Sequence, residues 1–309
     1  MIRPKSEPLF AVAAALLLVS GGVAASVSGG ASAQAATTSL CDSQTASVGS
    51  GSYIVQNNEY NSSKSECVTT NGSADLTVAN SSIDNAPGGP PGAYPSIFQG
   101  CHWGDCSSGG LSSDPVKVSD LSSDAVTTSW STAQPGGSSN AYDVAYDIWI
   151  NRTRTTSGQP NGTEIMVWLN HDGDVQPFGS EVGKDVTIDG NEYDVWEGSQ
   201  SSWDTVTYEM VKGTTSVSNL NVSDLAENSV SRGYTGSDWY LIDVEAGFEL
   251  WQGGAGLATN SFSVTTTSSG GSGSGSGSPS TASGGRATAS PSPGPVGQRR
   301  PATSGRSAR

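Results

Sequence analysis

Positive charge is scarce in this chain of 309 residues. Lysine and arginine number 14 against 29 aspartates and glutamates, which gives a formal net charge of −15. Five of the arginines lie beyond residue 268, and Arg3 and Lys5 lie near the start, so the central part is more acidic still. Such a surface repels nucleic acid and anionic lipid. We expect neither as a partner, whereas a neutral polymer is compatible with this charge.

Apolar runs long enough for a membrane-spanning helix are also missing. The run at residues 9–19 follows Arg3 and Lys5 and precedes small-residue cleavage patterns at residues 31–35. It is shorter than the ~20 residues that a membrane-spanning helix needs. This order of charge, apolar stretch and small residues is typical of a secretory signal peptide. We therefore predict that residues 1–35 are a signal peptide and that the protein is secreted and extracellular.

Residues 268–309 have little that could be buried. They are almost entirely serine, glycine, proline, threonine, alanine and arginine, a composition that cannot offset the entropy lost on ordering. We predict a linker or tail there, which leaves residues 36–267 as one domain without a visible internal repeat. No oligomerisation signal is evident, so a monomer is the expectation.

Cysteine is limited to Cys41, Cys67, Cys101 and Cys106. In an exported protein an even number favours disulfides, and four cysteines allow three pairings. The nearest-neighbour pairing would close an N-terminal hairpin and a short loop. A metal site made of Cys101, His102 and Cys106 is the alternative, but its spacing and single histidine fit zinc poorly. We expect no metal and no cofactor.

Helix signals are few, and strand signals recur along the chain. Runs rich in β-branched and aromatic residues alternate with Gly, Asn, Asp, Ser and Pro clusters, which predicts an antiparallel sandwich or barrel. The runs occupy residues 141–151, 164–170, 191–197, 203–210 and 239–251. The one helix expected covers residues 222–232, with Ser223 as its cap and Asp224 at its positive end.

Strand alternation collects carboxylates and tryptophans on shared faces. In residues 164–170 it separates Glu164 and Trp168 from the apolar Ile165, Val167 and Leu169. Two more strands have such a polar face, with Asp143, Asp147 and Trp149 on one and Asp243, Glu245, Glu249 and Trp251 on the other. Glycosidic-bond hydrolysis needs two carboxyl groups. On this pattern alone, solvated surface acids would be the preferred explanation of these strands.

Five strings decide between these interpretations. They are NNEY (57–60), YPSIFQGCHWGDC (94–106), YDIWIN (146–151), EIMVWLNHDGDVQPFGS (164–180) and DVEAGFELWQGGAGL (243–257). Together they resemble glycoside hydrolase family 12, small endoglucanases, and most closely its actinobacterial members, over residues 41–264. The resemblance implies a jelly-roll β-sandwich of two antiparallel sheets with a concave cleft. It also implies retaining hydrolysis of internal β-1,4-glucan bonds and the disulfides Cys41–Cys67 and Cys101–Cys106.

The resemblance also implies residue roles. Glu164 matches the nucleophile, Glu249 the acid/base, and Asp147 the acid that hydrogen-bonds the nucleophile. Positions that line sugar subsites are matched by Asn58, Tyr60, His102, Met166, Trp168 and Pro177. In retaining enzymes the two carboxyls lie ~5–5.5 Å apart, so the charge of Glu164 should raise the pKa of Glu249. Glu245 matches no catalytic position and lies about 13 Å along the strand from Glu249.

Two departures leave the substrate open. Tyr60 stands where the family has a tryptophan, and Gln99 stands where a lysine is common. A tyrosine offers less stacking area, so a xyloglucan-specific endo-β-1,4-glucanase is the alternative to an enzyme for cellulose-like or mixed-linkage glucans. A non-catalytic glucan-binding β-sandwich is the second alternative, although it gives no reason for Glu164, Glu249 and Asp147 together.

Overall fold

The computed structural model describes residues 36–122 and 125–267. The predicted signal peptide and the predicted tail lie outside the described residues. Within these ranges the chain forms eighteen β-strands, one α-helix and three short 3-10 helices, so the all-β prediction is confirmed. No helix in the described part is long and apolar enough to cross a membrane.

The strands run through the whole described domain. Their bounds are β1 (Thr38–Cys41), β2 (Thr45–Val48), β3 (Tyr53–Gln56), β4 (Glu66–Thr70), β5 (Leu76–Ser81), β6 (Ser96–His102), β7 (Asp105–Cys106), β8 (Val116–Lys117), β9 (Val126–Ala133), β10 (Ala141–Asn151), β11 (Thr163–Asp172), β12 (Ser180–Ile188), β13 (Asn191–Ser199), β14 (Asp204–Met210), β15 (Ser216–Asn221), β16 (Tyr240–Gly247), β17 (Leu250–Gln252) and β18 (Ala258–Thr266). The α-helix, α1, covers Val222–Ser231, and the 3-10 helices cover Gly49–Gly51, Gly110–Ser112 and Val118–Asp120.

The strands form two main sheets. The smaller has the order β1-β4-β5-β18-β9-β15, and the larger has the order β12-β13-β14-β11-β10-β16-β6-β3-β2. The short strands β17, β7 and β8 pair with β10, β6 and β16. This is the predicted jelly-roll sandwich. One pair of neighbours, β11 and β14, is parallel within the otherwise antiparallel larger sheet.

The main core fills the space between the sheets. Trp130 of the smaller sheet packs against Tyr146 of the larger sheet and against Phe248, which follows β16, with ring centroids 5.1 and 5.7 Å apart. Ile165, Val167 and Leu169 point into this core, as strand alternation predicts. Residues on the opposite face of the larger sheet form a second apolar cluster, made of Ala141, Ala145, Met166, Trp168, Val175 and Trp251.

The segment predicted as one strand at residues 239–251 is interrupted. β16 ends at Gly247 and β17 begins at Leu250. At the interruption the N–H of Asp143 donates to the Glu249 carbonyl at 3.1 Å, and the N–H of Glu249 donates to Asp143 Oδ1 at 3.1 Å. Glu249 therefore sits in a short link that is tied by two hydrogen bonds to the middle of the sheet.

The cap of helix α1 lies two residues earlier than predicted. Asn221 is the cap, and its side-chain oxygen accepts from the N–H groups of Ser223 and Asp224 at 3.0 and 3.3 Å. The prediction of Ser223 as the cap is wrong, because Ser223 is already helical and its buried hydroxyl accepts from the N–H of Val126. Asp224 lies in the first turn, as predicted.

Both disulfides connect paired strands. Cys41–Cys67 joins β1 to β4, and Cys101–Cys106 joins β6 to β7. These are the two bonds of the nearest-neighbour pairing, and they use all four cysteines of the sequence. Because Cys101 and Cys106 are bonded to each other, neither offers a free thiolate to a metal.

Candidate active site

A cavity of about 1410 Å³ lies on the face of the larger sheet that is turned away from the main core. Its floor comes from outward-facing residues of β10, β11 and β14, and its walls come from loops. The structure places every site residue predicted from the sequence along this cavity: Asn58, Tyr60, His102, Asp147, Glu164, Met166, Trp168, Pro177 and Glu249. The cavity brings them together, while their individual roles remain predictions.

Glu164 lies in the centre of the sheet and is 8% exposed. Its carboxylate accepts hydrogen bonds from Trp203 Nε1 at 3.1 Å and from Thr205 Oγ1 at 2.8 Å. Burial raises the pKa of Glu164, while the hydrogen bonds from Thr205 and Trp203 lower it. The two donors therefore favour the ionised carboxylate against the effect of burial.

Trp203 and Thr205 were not identified from the sequence. Residues 203–210 read as a strand, but only the parallel pairing of β14 with β11 sets Thr205 directly beside Glu164. Such a pairing joins segments about forty residues apart and leaves no local pattern. The one signal in the sequence was Trp203, a tryptophan at the start of the predicted strand.

Glu249 is in a different environment. Burial raises its pKa well above the usual range, and the neighbouring Asp143 and then Glu164 raise it further. Glu164 thus acts on the pKa of Glu249 in the predicted direction, but burial and Asp143 contribute more. The environment of Glu249 therefore favours its protonated form, whereas Glu164 has donors that stabilise its charge.

Two aspartates complete the carboxyl cluster on β10. Burial raises the pKa of Asp143 to about 8. Burial, followed by the charges of Glu164 and Glu249, raises the pKa of Asp147 well above its usual range. Among the described residues, the hydrogen bonds to the Glu164 carboxylate come from Trp203 and Thr205 and not, as expected, from Asp147. Asp147 interacts with Glu164 through its charge. Because like charges repel one another in this buried group, the environment favours the protonated form of several of the carboxyls.

Aromatic rings surround the carboxyl cluster. Trp203, which donates to Glu164, packs edge-on against Trp149 and Trp103 at centroid distances of 5.5 and 6.0 Å. Trp168 and Trp251 form another edge-on pair at 6.4 Å. Three rings at the cavity surface remain accessible: Tyr60 is 54% exposed, Phe178 50% and Trp103 42%. Concave sites lined by aromatic rings and a few convergent polar groups are typical ligand sites.

Glu245 is fully buried beside the cavity. One carboxylate oxygen accepts from Gln56 and Ser96, and the other lies 2.9 Å from His102 Nδ1. His102, Asp243 and Glu245 together hold three possible ligand atoms within 4.8 Å of one another. The described residues therefore include a group that could contact a cation, and the expectation of no metal stays a prediction.

A stabilised carboxylate and a carboxyl whose surroundings favour its protonated form, both in one aromatic cavity, are the pair of groups that glycosidic-bond hydrolysis uses. Residues 51–267 match Glycosyl hydrolase family 12, and the chain belongs to this family. It is thus a glycoside hydrolase, whose substrates are glycans.

Relatives and solved structures agree with this assignment. A probable cellulase, Cel12b, from Mycobacterium tuberculosis is 36% identical over 40% of this chain and 79% of its own. A probable xyloglucan-specific endo-beta-1,4-glucanase A from Aspergillus fumigatus is 30% identical over 75% of this chain and 92% of its own. The structure of endoglucanase cel12A from Rhodothermus marinus is similar with a TM-score of 0.69 and 36% identity, over 74% of this chain and 99% of that one.

Proposed function

We propose that this protein is a secreted, retaining endo-β-1,4-glucanase that cleaves internal bonds of cellulose-like or mixed-linkage β-glucans. The observation that carries the proposal is the contrast between its two glutamates. Glu164 has two hydrogen-bond donors that stabilise its charge, while burial and Asp143 favour the protonated form of Glu249. Two disulfides are in keeping with export to an oxidising compartment.

The two glutamates divide the reaction between them. Glu164 attacks the anomeric carbon and forms a glycosyl ester, while Glu249 gives its proton to the departing glycosidic oxygen. The ester removes the charge of Glu164, so Glu249, now ionised, takes a proton from water. That water attacks the anomeric carbon, the ester bond breaks, and Glu164 returns as a carboxylate. The second displacement restores the original anomeric configuration.

Xyloglucan is the second candidate substrate. The relatives described above carry both cellulase and xyloglucan-specific names. Tyr60 presents a smaller ring than tryptophan and is more than half exposed at the cavity surface. A smaller platform binds an unbranched chain over less area and leaves more space for a branched one.

Release of reducing ends tests the proposal. The assay compares carboxymethylcellulose, mixed-linkage β-glucan and xyloglucan for wild type, Glu164→Gln and Glu249→Gln. We expect wild type to cleave the unbranched glucans faster, and each variant to lose about a thousandfold or more of the rate because it removes a reacting group. Glu181→Gln, which lies outside the cavity lining, is the matched control and should keep full activity.

Two results would contradict the proposal. If wild type binds these glucans but releases no ends, the protein is a glucan-binding sandwich without catalysis. If the first product formed has the inverted anomeric configuration by NMR, the mechanism is not retaining.

A further inference from the structure

Glu245 is a buried acid without a part in the two-step reaction. It is fully buried on β16, directly opposite Asp147 of β10. Its Oε1 accepts from Gln56 Nε2 at 2.5 Å and from Ser96 Oγ at 2.5 Å. Three adjacent strands, β3, β6 and β16, thus hold this carboxylate in one orientation, with its second oxygen left to face elsewhere.

The second oxygen faces an imidazole. Glu245 Oε2 lies 2.9 Å from Nδ1 of His102, and the His102 side chain is only 13% exposed. Nδ1 and Glu245 Oε2 are both buried, and neither has a hydrogen bond of good geometry among the described residues, so at 2.9 Å each is the nearest candidate partner of the other. The ring itself lines the substrate cavity. Since Nδ1 is turned toward Glu245, Nε2 is the nitrogen left to meet a ligand in the cavity.

The chemistry of imidazole makes this contact consequential. A neutral imidazole carries its proton on one nitrogen, and the partner of that nitrogen decides which. A carboxylate only accepts, so it selects the form with the proton on Nδ1 and leaves Nε2 as an acceptor. Without that partner the ring would be free to present an N–H to the cavity instead.

Packing restricts the ring as well. The His102 imidazole lies 4.3 Å from the Trp103 ring and 5.8 Å from the Phe98 ring, measured between centroids. The disulfide from the adjacent Cys101 to Cys106 fixes the backbone of this short hairpin. The carboxylate therefore acts on a side chain that has little room to rotate.

The pair also lies within the field of the reacting carboxyls. The charge of Glu245 raises the pKa of Glu164, and His102 lowers it. The other titratable groups that face Glu245 are Asp147 on β10, Asp243 on β16 and the hydroxyl of Tyr94. Burial, followed by the charge of Glu245, raises the pKa of Asp243 well above its usual range, which favours the neutral form of Asp243 beside His102.

We propose that Glu245 is a positioning residue that holds His102 in the Nδ1-protonated tautomer and so sets Nε2 as a hydrogen-bond acceptor for a sugar hydroxyl in the cavity. The role in sugar binding rests on the proposed function, whereas the tautomer does not. A purely structural Glu245 would only satisfy Gln56 and Ser96, and it would leave the tautomer and the sugar affinity independent of its charge.

Glu245→Gln separates these two roles. Because Gln56 and Ser96 both donate to Oε1, the amide oxygen of the new side chain takes that position and its NH₂ group faces His102. An NH₂ group only donates, so Nδ1 has to accept and the proton moves to Nε2. The substitution thus inverts the tautomer with almost no change in shape.

The imidazole spectrum gives the first readout. The chain has two histidines, His102 and His171, so long-range ¹H–¹⁵N spectra of histidine-labelled protein contain two rings, which a His171→Gln variant assigns. At a pH where the spectrum shows both rings neutral, we expect Nδ1–H for His102 in wild type and Nε2–H in Glu245→Gln. The wild-type spectrum alone can overturn the proposal, even if the variant fails to fold. If His102 carries its proton on Nε2 in wild type, the proposed tautomer is wrong.

Kinetics give the second readout. With a soluble β-glucan we expect Glu245→Gln to raise KM about fivefold or more and to change kcat by less than about twofold, because a lost contact with bound sugar acts mainly on affinity. Glu209→Gln is the matched control, since Glu209 lies 3.5 Å from His171 Nε2 outside the main cavity. It should alter neither KM nor the His102 signal.

Each outcome decides a separate point. An inverted tautomer with a raised KM supports the proposal. An unchanged tautomer in folded Glu245→Gln overturns it, and an inverted tautomer with an unchanged KM overturns the role in sugar binding. If wild type cleaves none of the glucans, the proposed function fails, while the spectra still decide the tautomer.

Discussion

At the scale of single residues, the protonation of Glu164 depends on its two donors. Thr205→Val removes the 2.8 Å hydrogen bond to the carboxylate with little change in shape. Because that bond lowers the pKa of Glu164, its loss raises the pKa and reduces the ionised fraction at low pH. We expect the acidic limb of the kcat/KM profile to move to higher pH by about half a unit or more.

The same strand offers a control for this prediction. Thr207 is also fully buried on β14, but its hydroxyl has no hydrogen-bond partner among the described residues. Thr207→Val should therefore leave the acidic limb where it is. If the acidic limb moves equally in both variants, its pH is determined by the packing of β14 and not by the hydrogen bond to Glu164.

Glu66 gives a prediction about stability, away from the reaction. It is fully buried, and burial followed by the charge of Glu59 raises its pKa from the ordinary value of 4.5 to about 8. Between these values the unfolded chain releases the proton while the folded chain keeps it. The contribution of Glu66 to stability is therefore most favourable below pH 4.5 and decreases as the pH rises toward 8, by up to about 1.4 kcal/mol per pH unit.

Glu66→Gln removes this proton linkage. We expect its free energy of unfolding, relative to wild type, to increase steadily between about pH 5 and pH 8 in urea titrations. Glu192→Gln, an exposed substitution, serves as the reference for unrelated effects of charge. A difference between Glu66→Gln and wild type that is constant over this pH range would contradict the pKa assigned to Glu66.

At the scale of elements, the cap of α1 makes a contribution to the free energy of unfolding that can be measured separately from packing. Asn221 is buried, and its side chain accepts from two N–H groups of the first turn. Asn221→Ala should lower the free energy of unfolding by about 1–2 kcal/mol, whereas Asn221→Asp keeps an acceptor there and should cost less. Equal losses in both variants, measured by denaturant unfolding, would mean that packing rather than capping is responsible.

The same element shows where prediction from the sequence stops. The helix itself follows from its residue pattern, and so do the strand faces of β10 and β11, because alternation is a local property. The cap was misplaced by two residues, since Ser223 and Asn221 are both good capping residues and only tertiary packing of Ser223 against Val126 distinguishes them. Boundaries depend on contacts that the local pattern does not contain.

Strand order sets a second limit to prediction. The parallel pairing of β11 with β14, which supplies Thr205, and the interruption that presents Glu249 both depend on neighbours distant in sequence. The residues predicted to line the cavity carried family motifs, whereas Trp203, Thr205 and Asp143 act on the glutamates from positions outside those predicted sites. The sequence therefore indicated the reacting groups better than the groups that determine their protonation.

At the scale of the whole molecule, net charge distinguishes otherwise similar substrates. The chain carries −15, and the cavity contains several acidic side chains. An anionic glucan is repelled by this field, and added salt screens the repulsion, since the Debye length falls to about 10 Å at 0.1 M salt. A neutral mixed-linkage glucan experiences no such repulsion.

Salt dependence of KM tests this expectation directly. With carboxymethylcellulose, KM should fall about threefold or more as salt rises from about 10 mM to about 200 mM, while KM for mixed-linkage β-glucan stays nearly constant. The comparison on one enzyme preparation controls for effects of salt on folding and on the chemical steps. If KM changes in parallel for both substrates, the effect comes from the protein rather than from substrate charge. The order of the two KM values at low salt would then reflect cavity shape alone.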